Sequence, residues 1–319
     1  LAACLFGQNY AYAATRSLIW DKFAKEAARG GRETPLRAPG VRQGMSLQSR
    51  RVEPILPVMR CGVVSIMQFS FPDGNSVRVN CPDAEALLTE TRERMAQGRG
   101  FALATINVDH LQRLGEDARF RTAYAAHDLV CADGNPIVWL ARLAGKQIRL
   151  APGSDLVLPL AREAAAQGLP IALIGSSDAS LALAAEAMRA RVPGLTVALT
   201  HAPGFPFDPE GAEADEIIGR IAASGALLCF LALGAPRQEV FAIRARDALG
   251  NVGFASIGAG LDFLSGHQRR APRLVRQAKM EWLWRMLSNP KRLAARYAKG
   301  FTILPGHAAA AWKQRRGEV

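Results

Sequence analysis

The chain has 319 residues, 49% of them hydrophobic, which is ample for one large or two modest globular cores. Its net charge of +12 first resembles a nucleic-acid binder, but the charge is concentrated at the ends. Residues 1–60 carry a net +6, Arg269 to the C-terminus carries +11, and the stretch between carries −5, so a basic terminal segment facing phosphates or an anionic membrane fits better than a DNA-wrapping core.

Residues 1–60 lack periodicity. Arg29 to Gly44 is rich in Gly, Pro and Arg and reads as linker or disorder, with a helical pattern around Ser17–Ala28 that has no evident partner. The apolar patch at the start has no basic region ahead of it, so a signal peptide is not expected. Nor does any run reach the roughly 18 apolar residues of a spanning helix. Five cysteines, odd in number and without C-x-x-C spacing, predict reduced thiols rather than disulfides or a zinc site, with Cys131 and Cys229 as buried small hydrophobes.

From Ser65 the pattern tightens. Met67–Phe71 and Ser76–Val79 alternate as paired strands around Pro72-Asp73-Gly74-Asn75. Asp83-Ala84-Glu85 opens a helix to Ala96, Phe101–Ile106 is an apolar strand, and Asn107 begins the next helix. The strand Leu129–Cys131 meets Ala132-Asp133-Gly134-Asn135 and a helix from Pro136. Further units follow: helix Asp155–Gln167, strand Pro170–Ile174, helix Ala179–Arg191, strand Leu195–Thr200 and helix Asp208–Ala223. Strand Ala226–Leu233, a helix to Leu249 and strand Val252–Ile257 complete the series. Such alternation predicts an α/β, Rossmann-like fold: a mainly parallel sheet with helices on both faces and strand-end loops gathered along one edge. After Gly266 come two basic helices, about Leu274–Leu287 and Pro290–Lys299. Trp282, Leu283, Met286 and Leu287 lie at helical spacing among arginines. That stripe suits either an anionic bilayer surface or the protein's own core.

The strand ends hold the polar chemistry. Thr105-Ile106-Asn107, Asp133-Gly134-Asn135, Gly175-Ser176-Ser177, Gly234 to Glu239 and Gly258-Ala259-Gly260 all fall where an open sheet binds ligands. Small residues there allow close backbone approach to a phosphate or ribose, although each turn is also explained by loop geometry alone. Asp133 has two readings, a helix cap or a carboxylate poised at a strand end. Neither the G-x-G-x-x-G spacing nor a Walker lysine is present, which disfavours a nicotinamide oxidoreductase or a P-loop enzyme.

Seven motifs in order carry a resemblance. They are T-x-N-x-x-H at Thr105–His110, A-D-G-N-P-x-V-W at Ala132–Trp139, G-S-D-L at Gly153–Leu156 and G-A-P-R-Q-E at Gly234–Glu239. G-A-G-x-D-F-L-S-G at Gly258–Gly266, R-R-A-P at Arg269–Pro272 and E-W-L-W-R at Glu281–Arg285 complete the set. Over about Met67 to Leu304 the chain resembles the WecG/TagA/CpsF family of bacterial glycosyltransferases.

The resemblance implies inverting, metal-independent transfer of a hexose or N-acetylhexosamine-type sugar from a UDP-sugar to a polyprenyl-diphosphate-linked saccharide, in surface or exopolysaccharide assembly. It matches Asp133 to a general base and Thr105 to a neighbouring polar residue needed for activity. Asn107 and Gln238 match substrate contacts, and Gly134, Asn135, Gly175 and Arg237 are assigned to the same binding site. Arg285, Arg292 and Arg296 are assigned to the departing diphosphate, within a basic C-terminal segment that closes the pocket and meets the membrane. The implied organisation is an N-terminal extension over 1–60, a glycosyltransferase core over 61–266 and a helical appendage over 267–319. No cofactor or metal is expected. The expected location is cytoplasmic, peripheral on the inner face of the membrane, with a homo-oligomer left open.

Elementary chemistry agrees with that assignment. Glycosyl transfer needs a base for the attacking hydroxyl and positive charge for the diphosphate, and the planar arginine fork bonds two phosphate oxygens at once. Two departures concern specificity. The family often has H-G-Y-F where this chain has His201-Ala202-Pro203-Gly204-Phe205-Pro206-Phe207, and Pro152 stands where a threonine is common. His201 itself reads equally as a loop residue or a ligand. Two other functions compete: a silent sugar-nucleotide-binding partner, and a nucleic-acid binder using the basic tail. The acidic middle of the chain argues against the latter.

Overall fold

The computed structural model describes residues 66–267, 272, 275, 284 and 290–317, apart from the side chains of 290–298. The expected N-terminal extension over 1–60 lies outside the described residues, as does the helix expected over Leu274–Leu287 except at Val275 and Trp284.

Five strands read as short, predominantly apolar runs: β3 (Phe101–Ile106), β4 (Leu129–Ala132), β5 (Ile171–Gly175), β7 (Leu228–Ala232) and β8 (Gly253–Ser256). A strand apolar on both faces must be covered on both, which is the condition of a parallel sheet between helical layers. With β6 (Val197–His201) at one edge they form a six-stranded sheet, order β4-β3-β8-β7-β5-β6, with parallel pairing throughout. The hairpin β1 (Met67–Ser70) and β2 (Ser76–Val79) is a separate antiparallel pair. Its turn is fixed by Asp73, whose carboxylate accepts the Asn75 backbone N–H at 3.1 Å.

Helices begin where the sequence supplies an acceptor. Asp83 caps α1 (Ala84–Ala96), Asn107 caps α2 (Val108–Glu116) and Asp117 caps α3 (Ala118–Ala125), each taking the backbone N–H three residues on. Helix α3 is absent from the sequence reading, because α2 and α3 abut at Asp117 without a Gly or Pro between them. The chain continues with α4 (Asn135–Leu143), α5 (Gly153–Ala166), α6 (Asp178–Arg191), α7 (Ala212–Ser224), α8 (Arg237–Ala248) and the short α9 (Gly260–Leu264). Helix α7 starts four residues later than Asp208, whose carboxylate instead caps the local turn at Glu210.

One apolar layer joins α1, α5 and α6 to the sheet through Leu87, Leu156, Leu160, Leu181 and Met188 on Leu103, Leu173 and Phe230. On the opposite face Ile217, Ile221, Phe241 and Ala245 of α7 and α8 lie on Ala102, Cys229, Leu231 and Phe254. Further along that side, α2, α3 and α4 join the hairpin through Leu111, Phe120, Ile137, Phe69 and Val77. Each fully buried Leu, Ile, Phe or Met among them contributes roughly 1.5–3 kcal/mol. Cys81, Cys131 and Cys229 are buried free thiols, as the odd cysteine count implied for the latter two.

The C-terminal helix corrects the sequence reading. Helix α10 runs from Pro290 to Arg316 as one 27-residue element, past the expected end at Lys299 and through Pro305. Ala308–Ala311 favours helix strongly, and the tertiary seat supplies the rest. Ile303, Leu304, Ala308 and Ala311 join the cluster of the hairpin and α4. Near its end, Gln314 exchanges hydrogen bonds with the Gln68 backbone of β1 through both its oxygen and its nitrogen.

Candidate functional site

From β3 the chain winds outward to β4; from β5 it winds the other way to β6, then returns through β7 and β8 to lie beside β3. The winding direction therefore reverses across the middle of the sheet, and an open α/β sheet binds ligands in the crevice at the carboxyl ends of its strands there. The loops after β3, β8, β7 and β5 all reach that edge.

Asp133 directly follows β4 and is tied to β3 through its backbone N–H, which donates to the Ile106 carbonyl at 2.8 Å. The N-cap of α4 is Gly134, with φ 122° and ψ 139° and no side chain of its own to cap the helix, so Asp133 stands one residue ahead of the cap. An L-residue rarely holds such a backbone, so Gly134 is demanded by the turn between Asp133 and the helix start. Asn135 is the first residue of α4 and Pro136 the second, where a missing N–H costs nothing.

The neighbouring strand supplies Thr105 and Asn107. Thr105 is only 4% exposed, and its hydroxyl lies 3.1 Å from where a Cβ on Gly153 would be, so that glycine keeps room for it. Asn107 caps α2 by accepting the His110 N–H at 3.0 Å, and its Cβ stands 4.0 Å from the corresponding point on Gly134. Thr105, Asn107, Asp133 and Gly134 thus form one cluster at the β3 and β4 ends. Helix α10 passes close by, since a Cβ on Gly300 would come within 2.8 Å of Val108, the residue after Asn107.

Gly175 is brought to the same edge for a different reason. It has φ 115°, and an added Cβ would meet the Ala232 backbone at 2.5 Å, so it is required by the contact between β5 and β7. Nothing in that contact calls for a ligand. Arg237 opens α8, and its guanidinium carbon stands 5.9 Å from the centre of the Phe205 ring, which is 90% exposed. Arg292 and Arg296 sit on α10 two turns and one turn before Gly300, with side chains outside the described residues. Arg285 lies outside them entirely.

Gln238 and Glu239 are the most unusual residues of the edge. They are 2% and 0% exposed, at the start of a helix whose next turn, Phe241 and Ala242, lies on the sheet. The Gln238 amide nitrogen donates to Glu239 Oε1 at 2.8 Å. Gln238 Oε1 and Glu239 Oε2 have no hydrogen-bond partner among the described residues, nor does the buried hydroxyl of Ser256 at the end of β8. Burial pushes the Glu239 carboxyl up to about 7, against the opposing pull of the Gln238 amide and the Arg113 charge. The Tyr124 phenol is raised first by burial and then by Glu239, Cys131 and Asp133.

Sequence reading named Gln238 but passed over Glu239 and Tyr124. A glutamate inside an otherwise apolar helical face was the available signal for the first; Tyr124 had none, because α3 itself was not recognised. Also unanticipated is the role of Asp262, which accepts hydrogen bonds from the Ser176 and Ser180 hydroxyls at 2.5 and 3.0 Å and ties α9 to α6. Among the described residues, no three His, Cys, Asp or Glu side chains gather as a metal site.

A family model described as the glycosyl transferase WecG/TagA/CpsF family matches residues 74–318. The chain belongs to that family. The match runs from the β1–β2 turn to the end of α10, so the sheet, the strand-end cluster and the C-terminal helix all fall within it. Membership makes the protein a glycosyltransferase and implies, in general terms, a sugar-nucleotide donor and a lipid-linked acceptor. Among the described residues no helix is long and apolar enough to cross a membrane.

Proposed function

We propose that the protein transfers a hexose or N-acetylhexosamine-type sugar, with inversion, from a UDP-sugar to a polyprenyl-diphosphate-linked saccharide during surface or exopolysaccharide assembly. The observation that carries this reading is the position of Asp133 at the end of β4, beside Thr105 and Asn107, with the helix cap assigned to Gly134. In the step proposed, Asp133 takes the proton of the acceptor hydroxyl as its oxygen attacks the anomeric carbon. The bond from that carbon to the diphosphate oxygen breaks on the opposite side, and UDP leaves with the electron pair. One displacement with one base gives inversion. Arg237, with Arg285, Arg292 and Arg296 of the C-terminal segment, neutralises the departing diphosphate, so that guanidinium groups serve where a metal ion would otherwise be needed. Asn107, Asn135 and Gln238 hold the substrates by hydrogen bonds, while Gly134 lets them approach the backbone.

The same reading gives residues 267–319 two tasks, covering the site and meeting an anionic membrane surface on the cytoplasmic side. Gly300 of α10 against Val108 supports the first, because it brings the helix beside the β3 loop. Trp312, 44% exposed with Arg315 and Arg316 over its ring, supports the second.

The test is UDP release from a panel of UDP-hexoses with a soluble diphosphate-lipid acceptor analogue, without added metal, for the wild type beside Asp133→Asn. Acceptor-dependent release from one donor, lost in the variant, is the expected result. A folded protein that binds no UDP would overturn the reading.

A further inference from the structure

We propose that Glu239 is a positioning residue that fixes the polarity of the Gln238 amide, so that the site presents a buried carbonyl oxygen and selects a substrate bearing an O–H or N–H donor at that point. The inference rests on the glycosyltransferase reading of this edge and adds a specificity element to it.

An amide end is nearly symmetric in shape, and only its neighbours decide which way the oxygen and the nitrogen face. Here the neighbour is a carboxyl group. Above about pH 7, where Glu239 is ionised, it has only acceptors to offer, so the NH2 of Gln238 must face it, as in the 2.8 Å bond from Nε2 to Oε1. Gln238 Oε1 is thereby turned away, buried and unpartnered among the described residues. A buried carbonyl left without a donor costs about 1–3 kcal/mol, so such a group is retained where a ligand satisfies it. Its surroundings point the same way. The unpartnered Ser256 hydroxyl stands at the carboxyl end of β8, two residues beyond Phe254, on the sheet face that α8 covers. Gln238 and Glu239 open α8 shortly after β7, at the same carboxyl edge of the parallel sheet at which Asp133 follows β4.

A sugar nucleotide offers donors in three places, the imide N–H of the base, the ribose hydroxyls and the sugar hydroxyls. All three share the chemistry Gln238 Oε1 requires. A site whose acceptor is fixed rejects an analogue lacking the donor, because the carbonyl then stays unpaired. Substituting Glu239→Gln removes the fixed polarity: an amide facing an amide can pair in either orientation, and Gln238 can turn its nitrogen toward the ligand.

The experiment is a functional-group scan by calorimetry on the full chain at pH 8.5, where Glu239 is ionised. The probe is the UDP-hexose that binds best, with analogues methylated at the uracil N3 or deoxygenated one hydroxyl at a time. In the wild type, one position should weaken binding about tenfold when its donor is removed, and in Glu239→Gln the same removal should cost less than about threefold. The position that behaves so identifies the donor as base, ribose or sugar. Glu239→Met, similar in volume and unable to fix the amide, should lose discrimination in the same way. Each readout is a ratio of Kd values on one preparation, so a reduced folded fraction in either variant does not alter it. Equal discrimination in wild type and variants, or none in the wild type, would overturn the proposal while leaving the transferase reading standing. Failure of the wild type to bind any UDP-hexose would overturn both.

Discussion

The two ends of the central sheet treat buried polar groups in opposite ways. At the amino end, Asp128 just before β4 has partners all round: its carboxylate accepts the Ala102 N–H at 2.9 Å, Arg246 at 2.8 Å and Arg94 at 3.3 Å. Burial alone would raise that carboxyl, but the Ala102 amide and the two guanidinium groups outweigh it and hold it below its ordinary value. The orphan at this end among the described residues, His127 Nε2, is the lone pair of a ring whose other nitrogen bonds the Ala123 carbonyl at 2.9 Å. At the carboxyl end, Gln238 Oε1, Glu239 Oε2 and the Ser256 hydroxyl are all buried without partners. Three buried polar atoms left open where loops converge, against one ring nitrogen at the other end, mark the carboxyl edge as the place for a ligand.

The sharpest way to break this contrast is Asp133→Asn. The side chain keeps its shape and loses its basicity, so transfer should fall about a thousandfold while the melting temperature and UDP affinity hold. Loss of UDP binding in parallel with activity would assign Asp133 to the donor and not to the acceptor hydroxyl.

Glu239 should show the contrast in stability. Its carboxyl is raised from 4.5 to about 7 by burial, so the folded state binds more protons than the unfolded one between those values. Stability from this group is therefore complete below about pH 4.5 and falls as pH rises toward 7, by at most about 3 kcal/mol. Glu239→Gln cannot ionise. Denaturant titrations at pH 5 and pH 8 should find the variant gaining on the wild type at the higher pH; an unchanged difference would mean that Glu239 is not the titrating group.

Arg246→Ala tests the other end. Removing one charged partner from Asp128 should destabilise the protein by about 2 kcal/mol, with activity per folded molecule within about twofold of wild type. The sign of the pH dependence is opposite to that of Glu239. Asp128 is held low, so its contribution is present above its ordinary pKa of 3.8 and is lost as pH falls through its folded value. The gap between wild type and variant should narrow in acid. A gap that does not narrow there would show that Arg246 acts through a partner that does not titrate, the Ala126 carbonyl, to which it donates at 2.8 Å.

Sequence made the sheet legible because β3, β4, β5, β7 and β8 are predominantly apolar runs between turn residues, a pattern with few alternatives once helices alternate with them. The strand-end cluster was legible for the same reason: Thr105, Asn107 and Asp133 sit at fixed offsets from strand ends, and topology carries those ends to one edge. At Gly175 the sequence shows a strand-end glycine but not its close neighbour, the Ala232 backbone. Helix α3 escaped because Asp117 ends one helix and caps the next, leaving no break to read. The reach of α10 to Arg316 depends on its seat against the hairpin, a contact between residues 246 positions apart at Gln68 and Gln314. No local pattern encodes a contact of that range.

Phe205 gives the smallest effect on the fold and bears on where the open end stops. A ring 90% exposed contributes almost nothing to burial, so Phe205→Ala should change stability by less than about 0.5 kcal/mol. Its neighbour is the guanidinium of Arg237, assigned to the diphosphate, and a cation held against an aromatic face is worth roughly 0.5–1 kcal/mol at an exposed site. Losing that support should weaken UDP binding by about threefold, measured beside a melting curve that does not move. If Arg237→Ala weakens UDP binding strongly and Phe205→Ala leaves it untouched, the arginine is held by its helix alone. The open end then closes at the β7 loop, and the altered His201–Phe207 segment lies beyond the donor's reach.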